Sequence, residues 1–220
     1  MLMLEEFLSP IKISVQVSLA AGIIAVLAGT AAARLLRNKT FKGKSVIETV
    51  MMLPLVLPPT VVGFFLIVIF GKQSIIGELI ENIFQAPIIF TWWAAVVAAA
   101  VVAFPLMYQS AKSGFLGVDR EIEDAARVDG ANEWQVFLFV TIPLASNAII
   151  TGSVLSFARA LGEFGATLMF AGIIPGVTQT VPTAIYLAID SGDMTLAWLW
   201  VASIALISFF MLFFVQFKQK

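Results

Sequence analysis

The chain has 220 residues, of which 60% are hydrophobic and 12% charged, with a net charge of -1 and a mean hydropathy of +0.98. A soluble domain runs at about half apolar and a quarter charged, so that class is excluded and a single all-α integral membrane domain over residues 1–220 is indicated. With no cysteine and no histidine, disulfides, thiolate metal sites and the commonest acid–base group are excluded. No metal site is expected, no nucleic-acid partner is expected, and the net charge identifies no partner by itself.

Crossing the hydrocarbon takes about 20 apolar residues. The first such run is Ile13–Leu36. It is too long for a removable signal peptide, and its basic residues follow rather than precede it. Arg34, Arg37, Lys39, Lys42 and Lys44 make up that basic turn. The second run, Val46–Phe70, contains Pro54, Pro58 and Pro59. Each proline removes an intrahelical hydrogen bond, so the span is expected to be distorted, whether as a hinge or as a static bend. Between it and the third run, Lys72–Pro87 carries Glu78 and Glu81 on an apolar stretch and reads as an interfacial helix.

The third run, Ile88–Ala111, includes the small-residue stretch Ala94–Ala103, suited to close helix packing in lipid, and Pro105. A polar loop, residues 112–143, follows. The fourth run is Leu144–Phe170. It holds two charges, Arg159 and Glu163, at i, i+4. An arginine at mid-membrane costs about 2.5–3.5 kcal/mol on insertion scales, so the two are expected to pair and face the protein or a wet cavity. They either lock the span against its neighbours or border a pore in which Arg159 eases an anion past. Ala171–Asp193 contains a short apolar piece, Pro182–Ile189, either a re-entrant helix begun at Thr180 and ended near Gly192 or a packed surface loop. Met194–Phe217 is the fifth run.

These runs are continuous rather than alternating, which indicates helices and not a barrel. Ten of the thirteen Lys and Arg residues lie after the first, third and fifth runs, Lys218 and Lys220 among them. Only Lys12 and Lys72 fall on the opposite side. The positive-inside rule then puts the N-terminus outside and the C-terminus and the 112–143 loop in the cytoplasm.

Within that loop, Asp119 is placed to cap a short helix with Glu121, Glu123 and Asp124 near its positive end, and Gly130 to stop it. Asn132 with Gln135 three residues later forms a capping box for a second helix whose apolar face is Trp134, Phe137 and Leu138. Pro143 suits the first turn of the following span. Periodicity alone allows two interfacial helices on lipid or a docking element for another protein.

The stretch "DAARVDGANEWQVFLFVTIP" (Asp124–Pro143) resembles the cytoplasmic signature loop of ABC-importer permeases, in which Glu-Ala-Ala, three residues, Gly, nine residues and Ile-x-Leu-Pro recur. Asp124, Ala125, Ala126, Gly130, Val140, Ile142 and Pro143 fall in register, with Asp for Glu at 124, Val for Ile at 140 and Ile for Leu at 142. "LPLVLPPTVVGFFLIVIFG" (Leu53–Gly71), "AFPLMYQSAKSGFLGVD" (Ala103–Asp119) and "SFARALGEFGATLMF" (Ser156–Phe170) resemble the molybdate branch, with sulfate permeases as near relatives. The resemblance implies a multi-pass inner-membrane protein whose loop, Trp134 and Phe137 included, fits a groove on a cytoplasmic ATPase. It also implies a homodimer in membrane lipid, two ATPase subunits and an extracytoplasmic oxyanion-binding protein. The cargo implied is molybdate, or tungstate.

Without His, Cys or a clustered carboxylate set the chain is not expected to be an enzyme; it has no GxxxxGK[ST] loop, so ATP and Mg are expected on the partner and no cofactor on this chain. An ion-coupled carrier with Glu163 as proton carrier is the alternative from another class, and it leaves the polar loop without a purpose.

Overall fold

The computed structural model describes residues 2–218, with side chains from Glu5 to Phe213, and among them there is no strand. Lys220 lies outside the described residues. The chain order is α1 (Leu2–Arg37), α2 (Lys44–Val56), α3 (Pro59–Phe70), α4 (Ile75–Phe84), α5 (Trp92–Leu116) and α6 (Arg120–Val128). Then come α7 (Glu133–Leu144), α8 (Ser146–Leu161), α9 (Gly165–Ala171), α10 (Val181–Asp190) and α11 (Met194–Lys218).

The centre is α5, flanked by α1 and α8. Lipid offers helices no hydrophobic drive to associate, so their packing rests on close approach by small residues and on interhelical hydrogen bonds. Both are present. On α1, Ile13, Val17, Ala21 and Ala25 form an i, i+4 ridge of buried residues that meets Ala94–Ala103 of α5. On α8, Gly152 lies so near Ser110 that a Cβ there would come within 2.6 Å of the serine Cβ. Ser110 Oγ donates to the Ala148 carbonyl at 2.8 Å, and Ser156 Oγ to that of Ala103 at 3.2 Å.

Three helices are long and apolar enough to cross a membrane: α1 over Glu5–Arg37, α5, and α11 over Met194–Phe213. The second and fourth predicted runs are not single helices. In place of one distorted span over 46–70, α2 and α3 meet at 120°. The cause is the proline pair. A residue before proline is pushed out of the helical region, and both Leu57 (ψ 143°) and Pro58 (ψ 135°) are extended, after which Pro59 starts α3 at the position where its missing N–H is harmless. Pro54, by contrast, is carried inside α2. The fourth run is broken at Gly162–Phe164 between α8 and α9, and a further bend of 75° separates α7 from α8. Counting each bent pair as one span brings the total to five.

Two segments between the apolar runs also form helices. Ser74 caps α4, accepting from Gly77 N–H at 2.9 Å. The 171–193 segment contains α10, whose Val181, Ala184 and Ala188 are buried against Ala197 and Trp200 of α11. Ser14 Oγ accepts from Val181 N–H at 2.7 Å, and Trp200 Nε1 donates to the Phe7 carbonyl at 3.0 Å, so α10 and α11 are both tied to α1.

Candidate functional site

Residues 119–144 form a compact bracket. Asp119 accepts from Glu121 N–H at 3.0 Å at the start of α6. The end of α6 is a Schellman turn: Gly130, at φ +95°, donates to the Arg127 carbonyl and Ala131 to that of Ala126, both at 3.0 Å. No atom lies within 4 Å of where a Gly130 side chain would begin, so the backbone angle, not space, calls for glycine. Asn132 then accepts from Trp134 and Gln135 N–H, and Gln135 returns the contact to Asn132 N–H at 2.8 Å. Across the turn, Arg127 joins α6 to α7 through Asp124 (2.6 Å) and Glu133 (2.7 Å). The hydrogen bond from Arg127 holds the Glu133 carboxyl below the usual range, and Glu133 in turn, with Asp124, pushes the Arg127 guanidinium up.

Asp124, Ala125, Gly130 and Trp134 are exposed on this bracket, whereas Ala126 and Phe137 are half-buried. Val128 is 86% exposed, a large apolar side chain offered by a polar loop. Pro143 does not begin the next span. It sits in the last turn of α7, after a π-helical turn over Phe137–Thr141, and α8 starts only after Ala145. A wider turn is one way to carry a residue that cannot donate.

The bracket is held to the helices behind it by residues that local pattern did not single out. Glu123 is buried at 4% exposure and accepts from Arg37 Nη1 and Thr141 Oγ1, both at 2.6 Å. Arg37 ends α1, so one carboxylate links α1, α6 and α7. The Arg34 guanidinium lies 4.0 Å from the Trp134 ring centre and 3.9 Å from that of Phe137, whose ring also meets Phe115 of α5 edge-on. Glu48 of α2 accepts from Tyr108 Oη and pairs with Lys112, both at 2.9 Å. In the sequence Arg34, Arg37 and Lys112 carry only their sign, and Glu123 only its nearness to a helix start; their partners are 86 and 64 residues away for Arg37 and Lys112.

The second constellation is at the break after α8. Arg159 Nη1 lies 2.7 Å from Glu163 Oε2. The two do not share a helix face, because α8 ends at Leu161. Instead Glu163, its side chain 1% exposed, turns its other oxygen to Ala166 N–H at 2.8 Å and so supplies an acceptor for the first turn of α9. Arg159 is 29% exposed. Elsewhere on the apolar body, Ser110, Ser113, Asn147 and Thr151 line an open polar recess between α5 and α8. Among the described residues no group of three or more carboxylates, histidines or cysteines is arranged to hold a metal.

The sequence matches the family profile of the binding-protein-dependent transport system inner membrane component over residues 24–219. It is 64% identical to YvgM of Bacillus subtilis (strain 168) over 215 residues, covering 98% of this chain and 95% of that one. To the molybdenum transport system permease protein ModB of Escherichia coli (strain K12) it is 45% identical over 198 residues, 89% of this chain and 86% of the other. In fold it is similar to a chain of the MetNI methionine ABC transporter in an inward-facing conformation, with a TM-score of 0.75 at 14% identity over 97% of this chain and 94% of that one.

Proposed function

The chain belongs to the family of binding-protein-dependent transport system inner membrane components, and on that premise we propose that it is the permease subunit of an ATP-driven importer for molybdate. The observation that carries the reading is near-full-length identity to a molybdenum permease, 45% over 198 residues. Tungstate, a close analogue, is expected to be accepted; sulfate is the alternative cargo.

The bracket supports the division of labour. Its exposed Ala125, Val128, Gly130 and Trp134 form a small knob on a stiff base, a shape suited to a groove on a cytoplasmic ATPase. Glu123–Arg37 would pass a displacement of that knob to α1, and Phe137–Phe115 would pass it to α5. With no nucleotide loop on this chain, ATP and Mg belong to the partner.

The polar recess of Ser110, Ser113, Asn147 and Thr151 favours a homodimer. Polar groups on a lipid-facing surface are costly, and a second copy opposite them would enclose a wet passage. An extracytoplasmic binding protein would deliver the oxyanion to that passage. Five crossings, with the N-terminus outside and the bracket in the cytoplasm of an inner membrane, agree with the distribution of Lys and Arg. The chain has no cysteine of its own, so single-cysteine labelling from either side would test the sidedness directly.

The deciding experiment is uptake of labelled molybdate into proteoliposomes holding this chain, its ATPase and its binding protein. Uptake should need ATP hydrolysis and should resist a large excess of sulfate. Uptake that persists without hydrolysis and collapses with the proton gradient would establish an ion-coupled carrier instead.

A further inference from the structure

A groove of about 600 Å³ runs between α1 and α7–α8, walled by Val26, Leu27, Ala31, Leu35, Ile142 and Ile149. At one end it meets Arg34 and Trp134, and beyond them opens a polar cleft of about 240 Å³ where Arg37, Lys39 and Arg127 join Arg34. We infer that this groove binds one anionic phospholipid, with an acyl chain along the apolar walls and the phosphate in the basic cleft.

Three observations carry it. The first is order along one face of α1. Leu27, Ala31 and Leu35, with Thr30 and Arg34 beside them, recur every four residues, about 6 Å per step. Along that face Leu27 is followed by the Thr30 hydroxyl and Ala31 and then by the Arg34 cation with Leu35 at its side, so apolar wall precedes charge as acyl chain precedes phosphate in a phospholipid. The second is Thr30. It lines the groove, and its Oγ1 is the buried side-chain polar atom that has no hydrogen-bond partner among the described residues. Buried hydroxyls left unpaired are rare; this one is closed off as it stands, and a rotation about χ1 would present it to a lipid ester carbonyl in the groove.

The third is charge. Of the cations in the cleft, Arg37 and Arg127 are matched by Glu123 and Glu133. Arg34 contacts two rings and the Glu133 carbonyl but pairs with no described carboxylate, and Lys39 has no described partner. That surplus favours an anionic over a zwitterionic headgroup, as basic pockets between membrane helices do. Leu27 and Leu35, each 67% exposed, leave the groove open to the bilayer. The inference rests on insertion of the chain in a membrane and not on its cargo. A lipid here would touch α1 and the aromatic pair of α7 together.

The test is native mass spectrometry of the full chain, titrated with phosphatidylglycerol or phosphatidylcholine of the same chain length. One phosphatidylglycerol per chain should be retained under conditions that strip phosphatidylcholine. Lys39→Gln should weaken retention about fivefold, the effect of one surface cation. Thr30→Val should also lower it, and Ala31→Phe, which fills the groove, should abolish it. Equal retention of the two lipids would overturn the proposal, as would retention unchanged in both Lys39→Gln and Thr30→Val. So would displacement by millimolar inorganic phosphate, since the apolar groove would then contribute nothing. If Ala31→Phe instead splits a dimer and leaves lipid retention intact, the groove is a contact between two copies and not a lipid site.

Discussion

Glu123 accepts from Arg37 across 86 residues of sequence, and the 2.6 Å contact is nearly sealed from solvent, with side-chain exposures of 5% and 10%. Breaking a buried pair from one side costs about 3–5 kcal/mol, mostly for the charge left behind. Glu123→Ala should therefore destabilise the bracket by at most roughly that amount, because Arg37 keeps its contact with the Val118 carbonyl. Glu123→Gln, which still accepts from Arg37 and Thr141, should cost less. Thermal unfolding in nanodiscs measures the order, and hydrogen exchange of α6 should rise in the alanine variant alone. Equal, near-zero shifts would show that the link is not what holds the bracket.

Gly130 sits at φ +95° with free space around it. A β-branched residue there is strained by about 1–2 kcal/mol through its backbone alone. Gly130→Val should leave membrane insertion intact and loosen the turn between α6 and α7. If the bracket couples an ATPase to the membrane helices, hydrolysis should continue while uptake falls. Normal uptake at normal expression would contradict this.

The Arg159–Glu163 pair permits a test of position against passage. Removing the Glu163 side chain orphans both the Arg159 guanidinium and the Ala166 N–H. An unpaired buried N–H costs about 1–3 kcal/mol by itself. Glu163→Leu should then be the most damaging change to yield of the complex. Arg159→Met should be milder, since Glu163 then keeps its hydrogen bond from Ala166 N–H. Arg159→Met combined with Glu163→Gln keeps an acceptor for Ala166 and should assemble fully. If that double variant also transports, the pair is structural; assembly with lost molybdate uptake would place Arg159 in the passage.

Acid should unlatch the bracket in a defined window. Arg127 holds Glu133 below the ordinary glutamate value of about 4.3. A carboxyl with a depressed folded-state value contributes stability that is complete above its unfolded value and is lost as pH falls through the folded one. Exchange protection of the α6–α7 turn should thus be flat from neutrality to about pH 5 and should decline only below about pH 4. Glu133→Gln should remove that acid limb. A decline already evident near pH 6 would point to another group.

Composition and run length were enough to indicate a membrane-embedded helical chain, since apolar stretches of this length suit a bilayer crossing and the basic residues cluster in alternate connections between them. Local chemistry was also enough for the bracket's ends: Asp119, Gly130 and the Asn132–Gln135 box act within three residues of themselves, and their geometry needs no distant partner. What the sequence could not determine was decided by contacts far apart in the chain. The prolines announced a distortion in the second run, but its size, 120° at 58–59, and the parting of α8 from α9 at Gly162–Phe164 escape a hydropathy window. Spacing put Arg159 and Glu163 on one helix face, while the structure ends the helix between them and gives Glu163 a second task. Pairings such as Glu123 with Arg37 and Glu48 with Tyr108 carry no local signature, because a charge in sequence has a sign but no address. Only the tertiary packing, which sets α6 beside the end of α1 and α2 beside α5, brings those side chains together.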